Sequence, residues 1–148
     1  MEIRKNMNLN LGCSKIKGFD SIDIRDCGQK YVHDLENGLP SEIKDNSCGY
    51  IRASHILEHL KDTRKLLNDC HRVLNKNGTM ECWSPHCFWE GAHNPTHFQC
   101  ITEFWFAFLR RGLEFGYGMK KWDIIKLETL KNKDDVPYEV HCIMRSIK

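Results

Sequence analysis

The chain has 148 residues, of which 41% are hydrophobic and 28% are charged. Its 22 lysines and arginines nearly balance its 20 aspartates and glutamates, so the formal net charge at pH 7 is +2. This composition excludes a disordered chain and a strongly basic nucleic-acid wrapper, and the length fits a single domain over residues 1–148 with a buried core.

The sequence shows no pattern of a membrane span or a secretory signal. Its longest apolar run covers residues 104–109, whereas about 20 apolar residues are needed to cross a bilayer. Asparagines interrupt the apolar residues of the N-terminal segment. We therefore expect a cytoplasmic protein, and in that reducing compartment we expect the eight cysteines to be thiols that serve as small buried residues.

The first half of the chain is rich in short strand patterns. Apolar and polar residues alternate over residues 7–11 and stop at Gly12, which predicts a strand that ends in a loop. Three more strands are predicted over residues 19–24, 31–33 and 50–53. The connections between the first three strands are too short for full helices, so one face of the sheet is expected to be thinly covered.

A helix is the clearest element in the middle of the chain. It is expected to begin at the N-cap Asp62 and to be stopped by Asn77 and Gly78, before a fifth strand over residues 79–83. Its apolar residues recur on one face of an α-helix. The residues of that face are Leu66, Leu67, Cys70, Val73 and Leu74.

The last third of the chain combines an aromatic helix with a hairpin. The helix begins near Thr102 and closes at Gly112. Two strands over residues 121–129 and 138–145 flank the polar turn 132–135, which predicts an antiparallel pair. The helix face assigned to the core consists of Ile101, Phe104, Trp105, Phe108 and Leu109.

Strands alternating with helices before a terminal hairpin predict an α/β fold whose sheet is mostly parallel. Such sheets bind ligands at the carboxyl ends of their strands. Gly12 after the first strand lets backbone N–H groups approach a ligand, and Asp23 after the second is suited to a ribose. Only one glycine of the dinucleotide fingerprint is present, so a pyrophosphate cofactor is not expected.

Several segments occur in an order that matches a known family. The most specific are ASHILEHL at residues 53–60, RVL followed by glycine at 72–78, and LNLGC at 9–13. The others are SIDI at 21–24, DL at 34–35, SPH at 84–86 and NPTH at 94–97. With these segments the chain resembles the class I S-adenosylmethionine-dependent methyltransferases of the type 11-like group.

The resemblance implies a Rossmann-like sheet that is mostly parallel, with an antiparallel C-terminal hairpin strand and truncated helices on one face. It implies S-adenosylmethionine as cofactor and S-adenosylhomocysteine as product. The implied reaction is methyl transfer to a small-molecule acceptor, or to one linked to a sugar or a lipid.

The resemblance also implies which residues hold the methionine end of the cofactor. They are the backbone of Leu11, Gly12 and Cys13, with Asn10 near the amino group. Ser14 completes the loop, and it stands where the family often has a second glycine. A side chain at that position would crowd the cofactor.

For the nucleoside end, the resemblance implies that Asp23 takes the ribose hydroxyls and that Ile24 lies against the adenine. The other implied contacts are Asp34 and Leu35 at the adenine edge and face, and Ser54 and His55 beside the sulfonium.

Methyl transfer from a sulfonium is an in-line displacement, so the alignment of acceptor and methyl group supplies most of the rate acceleration. A base is needed only if the acceptor loses a proton.

Histidines are the candidate bases, because their ordinary pKa of about 6.5 suits proton transfer at neutral pH. His97 and His86 are the first candidates as catalytic residues, and His55 is the third. Each of them also has a structural or substrate-binding interpretation.

Two patterns would suit zinc instead. His55, Glu58 and His59 match the H-x-x-E-H pattern of a class of zinc-dependent hydrolases. A second group of cysteines and histidines has no standard zinc spacing, so we expect no metal. That second group consists of Cys82, His86, Cys87, His93, His97 and Cys100.

The partners expected from the sequence are few. The basic doublets at 110–111 and 120–121 are typical of a solvated face, so nucleic acid and membrane are not expected partners. The chain lacks the N-terminal helices that often cover the family's acceptor, so the acceptor pocket is expected either to be open or to be completed by a second copy or a partner subunit. Because several family glycines are replaced, a non-catalytic methyltransferase-like partner subunit is the alternative function.

Overall fold

The computed structural model describes residues 6–112 and 117–148. Within them lie the strands β1 (Met7–Leu11), β2 (Asp20–Asp23), β3 (Tyr31–Val32), β4 (Cys48–Ser54), β5 (Leu74–Pro85), β6 (Trp122–Lys131) and β7 (Pro137–Ser146). They form one sheet in the order β3-β2-β1-β4-β5-β7-β6. The pairs among β1 to β5 are parallel, and β7 is antiparallel to both of its neighbours. The mostly parallel sheet with an antiparallel C-terminal hairpin is therefore confirmed.

Helices are short in the described part of the chain. The α-helices are α1 (Arg64–Val73) and α2 (Glu103–Ala107). Single 3-10 turns cover Leu35–Asn37, Leu57–His59, Glu90–His93 and Phe108–Arg110. None of these helices has the length and apolar character of a bilayer span.

The hydrophobic core lies on one face of the sheet. Leu9, Ile51, Met80 and Met144 face one another in register across four strands, and each is fully buried. The apolar face of α1, which includes Leu66, packs into the same cluster. Burial of this face is the main term that stabilises the fold, because the hydrophobic effect scales with the apolar area removed from water.

The opposite face of the central strands is polar. Asn10, Arg52 and Glu81 are aligned across β1, β4 and β5. Arg52 donates to the side-chain oxygen of Asn10 at 3.2 Å, and Tyr50 donates to Glu81. No α-helix occurs between β1 and β4. This thinly covered face, which the sequence predicts, explains why polar residues alternate with apolar ones in the first strands.

The start of α1 differs slightly from the prediction. Its N-cap is Thr63, and the helix begins at Arg64 rather than directly after Asp62. The Asp62 carboxylate nevertheless accepts the backbone N–H of Arg64 at 2.9 Å. Asp62, which immediately precedes the N-cap, therefore satisfies one of the free backbone N–H groups of the first helical turn.

The sequence analysis predicted that α1 would extend to Asn77, but the helix ends earlier in the chain. The helix stops at Val73, and Leu74 already belongs to β5. Gly78 lies inside that strand, where a Cβ atom would sit 2.9 Å from the carbonyl oxygen of Cys48. The glycine is needed for a close approach between two backbones and does not terminate the helix.

The aromatic face predicted for α2 is only partly buried. Ile101 and Leu109 are in the core as expected, and so is Phe106. Phe104 and Phe108 are 70% and 60% exposed, so their assignment to the core was wrong. Within α2 the buried position is Phe106, which leaves Phe104 on another side of the helix. After Ala107 the helix tightens into a 3-10 turn, and the change from 3.6 to 3.0 residues per turn turns Phe108 away from the core.

Four of the eight cysteines are paired, contrary to the expectation of thiols. Disulfides join Cys13 to Cys27 and Cys87 to Cys100. The other four cysteines are buried thiols, and burial raises the pKa of each. They are Cys48, Cys70, Cys82 and Cys142.

Candidate functional site

A cleft lies at the carboxyl ends of β1, β2 and β4. The chain leaves β1 towards β2 on one side, and β4 lies on the other, which makes this the switch point where open α/β sheets bind ligands. The cleft has a volume of about 500 Å³. Its lining consists of Asp23, Ile24, Arg25, Asp34, Leu35, Glu36, His55, Ile56, His59 and Leu60. Five of these, at positions 23, 24, 34, 35 and 55, are residues that the sequence assigned to the cofactor.

The loop after β1 turns sharply at Gly12. This residue has a φ of +115° and donates its N–H to the carbonyl of Ile22 at 2.7 Å. A Cβ atom here would lie 3.2 Å from Cδ1 of Ile56, a residue of the cleft. The turn and the close approach both require glycine.

Asn10 lies beneath this loop and holds it. Its side-chain NH₂ donates to the carbonyls of Gly12 and Ser14, each at 3.0 Å. The side chain of Ser21 donates to the same Ser14 carbonyl at 2.9 Å. Asn10 is 1% exposed, so the structure gives it a positioning role under the loop instead of a place in the cleft. The other residues that the sequence assigned to the cofactor are likewise not among those lining the cleft, namely Leu11, Gly12, Cys13, Ser14 and Ser54.

The Asp23 carboxylate is ionised and faces the cleft. It accepts the backbone N–H of Arg25 at 2.8 Å and the Nε of the same residue at 3.2 Å. Burial alone would raise the pKa of Asp23, but these hydrogen bonds, with a further one from the backbone of Cys13, hold it below its ordinary value. Arg25 is 73% exposed along its side chain, so a ligand hydroxyl can replace it.

Apolar and acidic side chains form the adjoining wall. Ile24 is 63% exposed and faces the cleft together with the buried Leu35. Asp34 caps the 3-10 turn by accepting the N–H of Glu36 at 3.0 Å. Glu36 in turn accepts the N–H of Lys61 at 2.6 Å, which ties this wall to the segment that follows β4.

His55 follows Ser54 at the end of β4, where its φ is +54° and its N–H donates to the carbonyl of Trp83. Its Nδ1 lies 3.4 Å from Oε1 of Glu58, and its Nε2 lies 2.9 Å from Oε2 of Glu139. The interaction with Glu58 is the main cause that raises the pKa of His55; burial opposes it and Glu139 adds to it. Two carboxylates therefore favour the imidazolium form, which does not accept a proton.

His86 is buried and held by contacts outside the cleft, an arrangement that favours its structural interpretation. It is 3% exposed, its Nδ1 accepts the N–H of Phe88 at 3.1 Å, and its Nε2 lies 3.2 Å from Oε2 of Glu103. It is not among the residues of the cleft. In the second cysteine–histidine group, Cys87 and Cys100 are joined in a disulfide and do not offer thiolates to a metal.

The pattern H-x-x-E-H does not form the helix that the zinc hydrolases require. Only Leu57–His59 is helical, as a single 3-10 turn, and His55 has a left-handed backbone. The imidazole of His55 contacts Glu139, whereas Nδ1 of His59 lies 3.2 Å from the carbonyl of Thr96. The two histidines do not share one helical face.

His59 instead pairs with His97 at the margin of the cleft. Their rings meet edge to face with centroids 4.6 Å apart, and Nδ1 of His97 lies 3.0 Å from the carbonyl of Ala92. His59 lines the cleft, so His97 borders it through this contact. Sequence reasoning gave His59 a function only in the H-x-x-E-H alternative, and the fold of the segment over residues 94–97 reveals its pairing with His97.

Comparisons with known proteins agree with this geometry. Residues 19–82 match a family model described as a methyltransferase domain. No curated protein sequence matches the chain.

Three solved structures illustrate the shared fold. An S-adenosylmethionine-dependent methyltransferase from Mesorhizobium loti has 14% identity and a TM-score of 0.63, over 94% of this chain and 90% of that one. The N-methyltransferase NodS from Bradyrhizobium japonicum, in complex with S-adenosylhomocysteine, has 11% identity and a TM-score of 0.67, over 97% of this chain and 79% of that one. A chain of the Haloferax volcanii complex between the Trm112 methyltransferase activator and a methyltransferase has 12% identity and a TM-score of 0.63, over 97% of this chain and 83% of that one. Part of the chain is therefore similar to a methyltransferase domain, and the chain has the fold of solved S-adenosylmethionine-dependent methyltransferases.

Proposed function

We propose that the cleft at the ends of β1, β2 and β4 binds S-adenosylmethionine and that the chain transfers the methyl group to a small-molecule acceptor, or to one linked to a sugar or a lipid. The observation that carries this proposal is the ionised Asp23 carboxylate at the end of β2, beside the glycine turn of β1. A carboxylate and a glycine turn at this switch point are suited to a nucleoside.

The nucleoside end of the cofactor fits the first half of the cleft. Asp23 would accept hydrogen bonds from the two ribose hydroxyls, in place of those that it now accepts from Arg25. Ile24 and Leu35 would contact the adenine ring, since both are apolar and face the cleft. Asp34 would lie at the adenine edge.

The methionine end would lie along the loop after β1. The backbone of Leu11, Gly12 and Cys13 would hold it, and Asn10 fixes that backbone from below. Ser54 and His55 would lie beside the sulfonium. His55 bears a proton more readily than an ordinary histidine, and its two carboxylate partners offset that charge.

When bound, S-adenosylmethionine supplies an electrophilic methyl group, and S-adenosylhomocysteine is the second product. The chain would hold the acceptor atom in line with the carbon–sulfur bond, which breaks with its electron pair going to sulfur. His97 is the remaining candidate to take a proton from the acceptor, because Nδ1 contacts the Ala92 carbonyl and Nε2 makes no hydrogen bond within the described residues.

The acceptor side of the cleft is open. The net charge of +2 gives no reason to expect a polyanionic acceptor. A second copy or a partner subunit would close this side, and the Haloferax volcanii complex, which pairs a methyltransferase with an activator, is consistent with a partner of that kind.

Titration calorimetry with S-adenosylmethionine and S-adenosylhomocysteine tests the proposal. Asp23→Ala should weaken binding by about 1.5–3 kcal/mol, the contribution of a hydrogen bond to a charged group, or roughly 10- to 150-fold. Asp20→Ala is the matched control, because Asp20 also lies in β2 but pairs with Lys30 outside the cleft. Unchanged binding by Asp23→Ala would place the cofactor elsewhere. Binding without transfer to any acceptor in a screen of small molecules and sugars would favour the non-catalytic partner subunit.

A further inference from the structure

Glu58 is a buried carboxylate that the proposed function does not use. It is 1% exposed, and neither of its carboxylate oxygens accepts a hydrogen bond from a described residue. The imidazole of His55 faces only one of them, Oε1, at a distance of 3.4 Å. Buried carboxylates are normally hydrogen-bonded, paired in good geometry or bound to a metal, so Glu58 lacks part of its expected surroundings.

Two imidazoles approach this carboxylate. One ligand atom from each of Glu58, His59 and His97 lies within 4.8 Å of the other two. Nδ1 of His59 faces the carbonyl of Thr96, and Nδ1 of His97 faces the carbonyl of Ala92. Because a carbonyl only accepts, Nδ1 of each neutral ring carries the hydrogen and Nε2 keeps its lone pair. Histidines that bind metals are commonly oriented in this way by a carbonyl.

The segments that carry these side chains are held together by their backbones. The carbonyl of Glu58 accepts the N–H of Phe98 at 2.7 Å and that of Gln99 at 3.2 Å. The side chain of Gln99 donates to the carbonyl of Leu60 at 2.8 Å. The turn that presents Glu58 and the loop that presents His97 therefore form one unit, and binding a ligand between them would need only side-chain adjustments.

We propose that Glu58, His59 and His97 bind a divalent transition-metal cation, with zinc as the best match. Two histidines and one carboxylate are a ligand set that zinc uses when a fourth position stays open. Zinc binds such ligands at about 2.0–2.2 Å, so modest rotations of the three side chains would bring them into range.

The open position would face the cleft, because His59 lines it. This consequence rests on the proposed function: an oxygen or nitrogen of the acceptor would complete the coordination there. A cation in that position favours the deprotonated, nucleophilic form of such a group, and it would do so in place of His97, whose Nε2 would then bind the metal instead of accepting a proton. The acceptor class would then be one that carries a metal-binding hydroxyl, carboxylate or amine near the atom that receives the methyl group.

Zinc binding by the purified chain, without cofactor and with both disulfides intact, tests the site. We expect one equivalent of bound zinc by elemental analysis and calorimetry. His97→Ala and His59→Ala should each weaken zinc binding by at least about 10-fold, since even the loss of an outer-shell partner costs about 10- to 100-fold. His93→Ala is the matched control, because His93 is exposed four positions from His97 and outside the cluster. Glu58→Gln should remove most of the zinc-induced rise in melting temperature.

The absence of stoichiometric zinc, or an equal loss in His93→Ala and His97→Ala, would overturn the proposal. His97 is partly exposed, so its variant stays informative if Glu58→Gln does not fold. Asp23→Ala separates the two proposals: it should bind zinc as the wild type does while losing S-adenosylhomocysteine. His97→Ala should show the reverse, and loss of both ligands in either variant would count against an independent metal site.

Discussion

The guanidinium of Arg25 lies over the carboxylate of Asp23, with its Nε 3.2 Å from Oδ1. The carboxylate is buried and the guanidinium is exposed. The Arg25 side chain therefore covers the nucleoside end of the cleft but can move away into solvent. The cofactor would exchange these hydrogen bonds for those of the ribose.

Arg25→Ala should change the affinity for S-adenosylhomocysteine by less than about fivefold, in the direction of tighter binding. An exposed ion pair contributes about 0–1 kcal/mol, so its loss frees Asp23 at little cost. Calorimetry beside Asp23→Ala checks this. A loss of affinity in Arg25→Ala would instead identify Arg25 as a direct ligand.

The preference for S-adenosylmethionine over S-adenosylhomocysteine should depend on the protonation of His55. In the metal-free chain, the neighbouring carboxylates, Glu58 first, raise the pKa of His55 above 6.5. As the pH falls through that raised value, the imidazolium accumulates beside the positively charged sulfonium, which the product lacks. The ratio of the two affinities should therefore fall on acidification and level off at alkaline pH.

Calorimetry with both ligands between about pH 6 and pH 9 measures this ratio. His55→Gln, which does not titrate, should give a ratio independent of pH. A pH-dependent ratio in that variant would assign the effect to another group.

Gly12→Ala and Gly18→Ala should destabilise the fold by similar amounts but differ in ligand binding. Both glycines have a positive φ, +115° and +85°, which costs an alanine about 1–2 kcal/mol. Only at Gly12 would the added Cβ contact a residue of the cleft, Ile56, at 3.2 Å. Urea unfolding should show the common loss, and calorimetry should show weaker S-adenosylhomocysteine binding for Gly12→Ala alone. Equal binding losses would mean that Gly18 also shapes the site.

Removing the disulfide between Cys13 and Cys27 should lower the free energy of unfolding by about 3 kcal/mol. The two cysteines are 14 residues apart, and closing a loop of that size restricts the unfolded chain by about this amount. Urea unfolding of the double alanine variant measures this loss, and the reduced wild type, which also loses the disulfide between Cys87 and Cys100, should be at least as destabilised. A wild type whose stability does not respond to reductant would show that these cysteines are thiols in solution.

Local patterns predicted the fold where one buried face dominates. The alternation over Met7–Leu11 identified β1, and the apolar face of α1 was correct because every residue of that face is buried. The prediction failed at Gly78, whose function is to admit the backbone of Cys48. That requirement depends on a neighbouring strand and leaves no signal in the local sequence.

In the candidate site, residues at strand ends could be placed from the sequence, whereas residues in the irregular loops could not. Asp23 occupies its place because the end of β2 fixes it, and a strand end can be identified from sequence. His86 and His97 both lie in the irregular region between β5 and α2, and nothing in their sequence neighbourhood separates them. Contact with Glu103 buries the first, and the loop that reaches His59 brings the second to the cleft. Such contacts between distant segments arise only on folding.

The outer strand β6 has a consequence for association. An edge strand offers free N–H and carbonyl groups to any second strand, which is a route to aggregation. The ten residues of β6 carry Asp123, Lys126, Glu128 and Lys131, and their pairing with β7 shifts register between Ile124 and Lys126. Charged side chains and an irregular backbone both oppose the addition of another strand. If two copies of the chain associate, this edge is therefore poorly suited to join them.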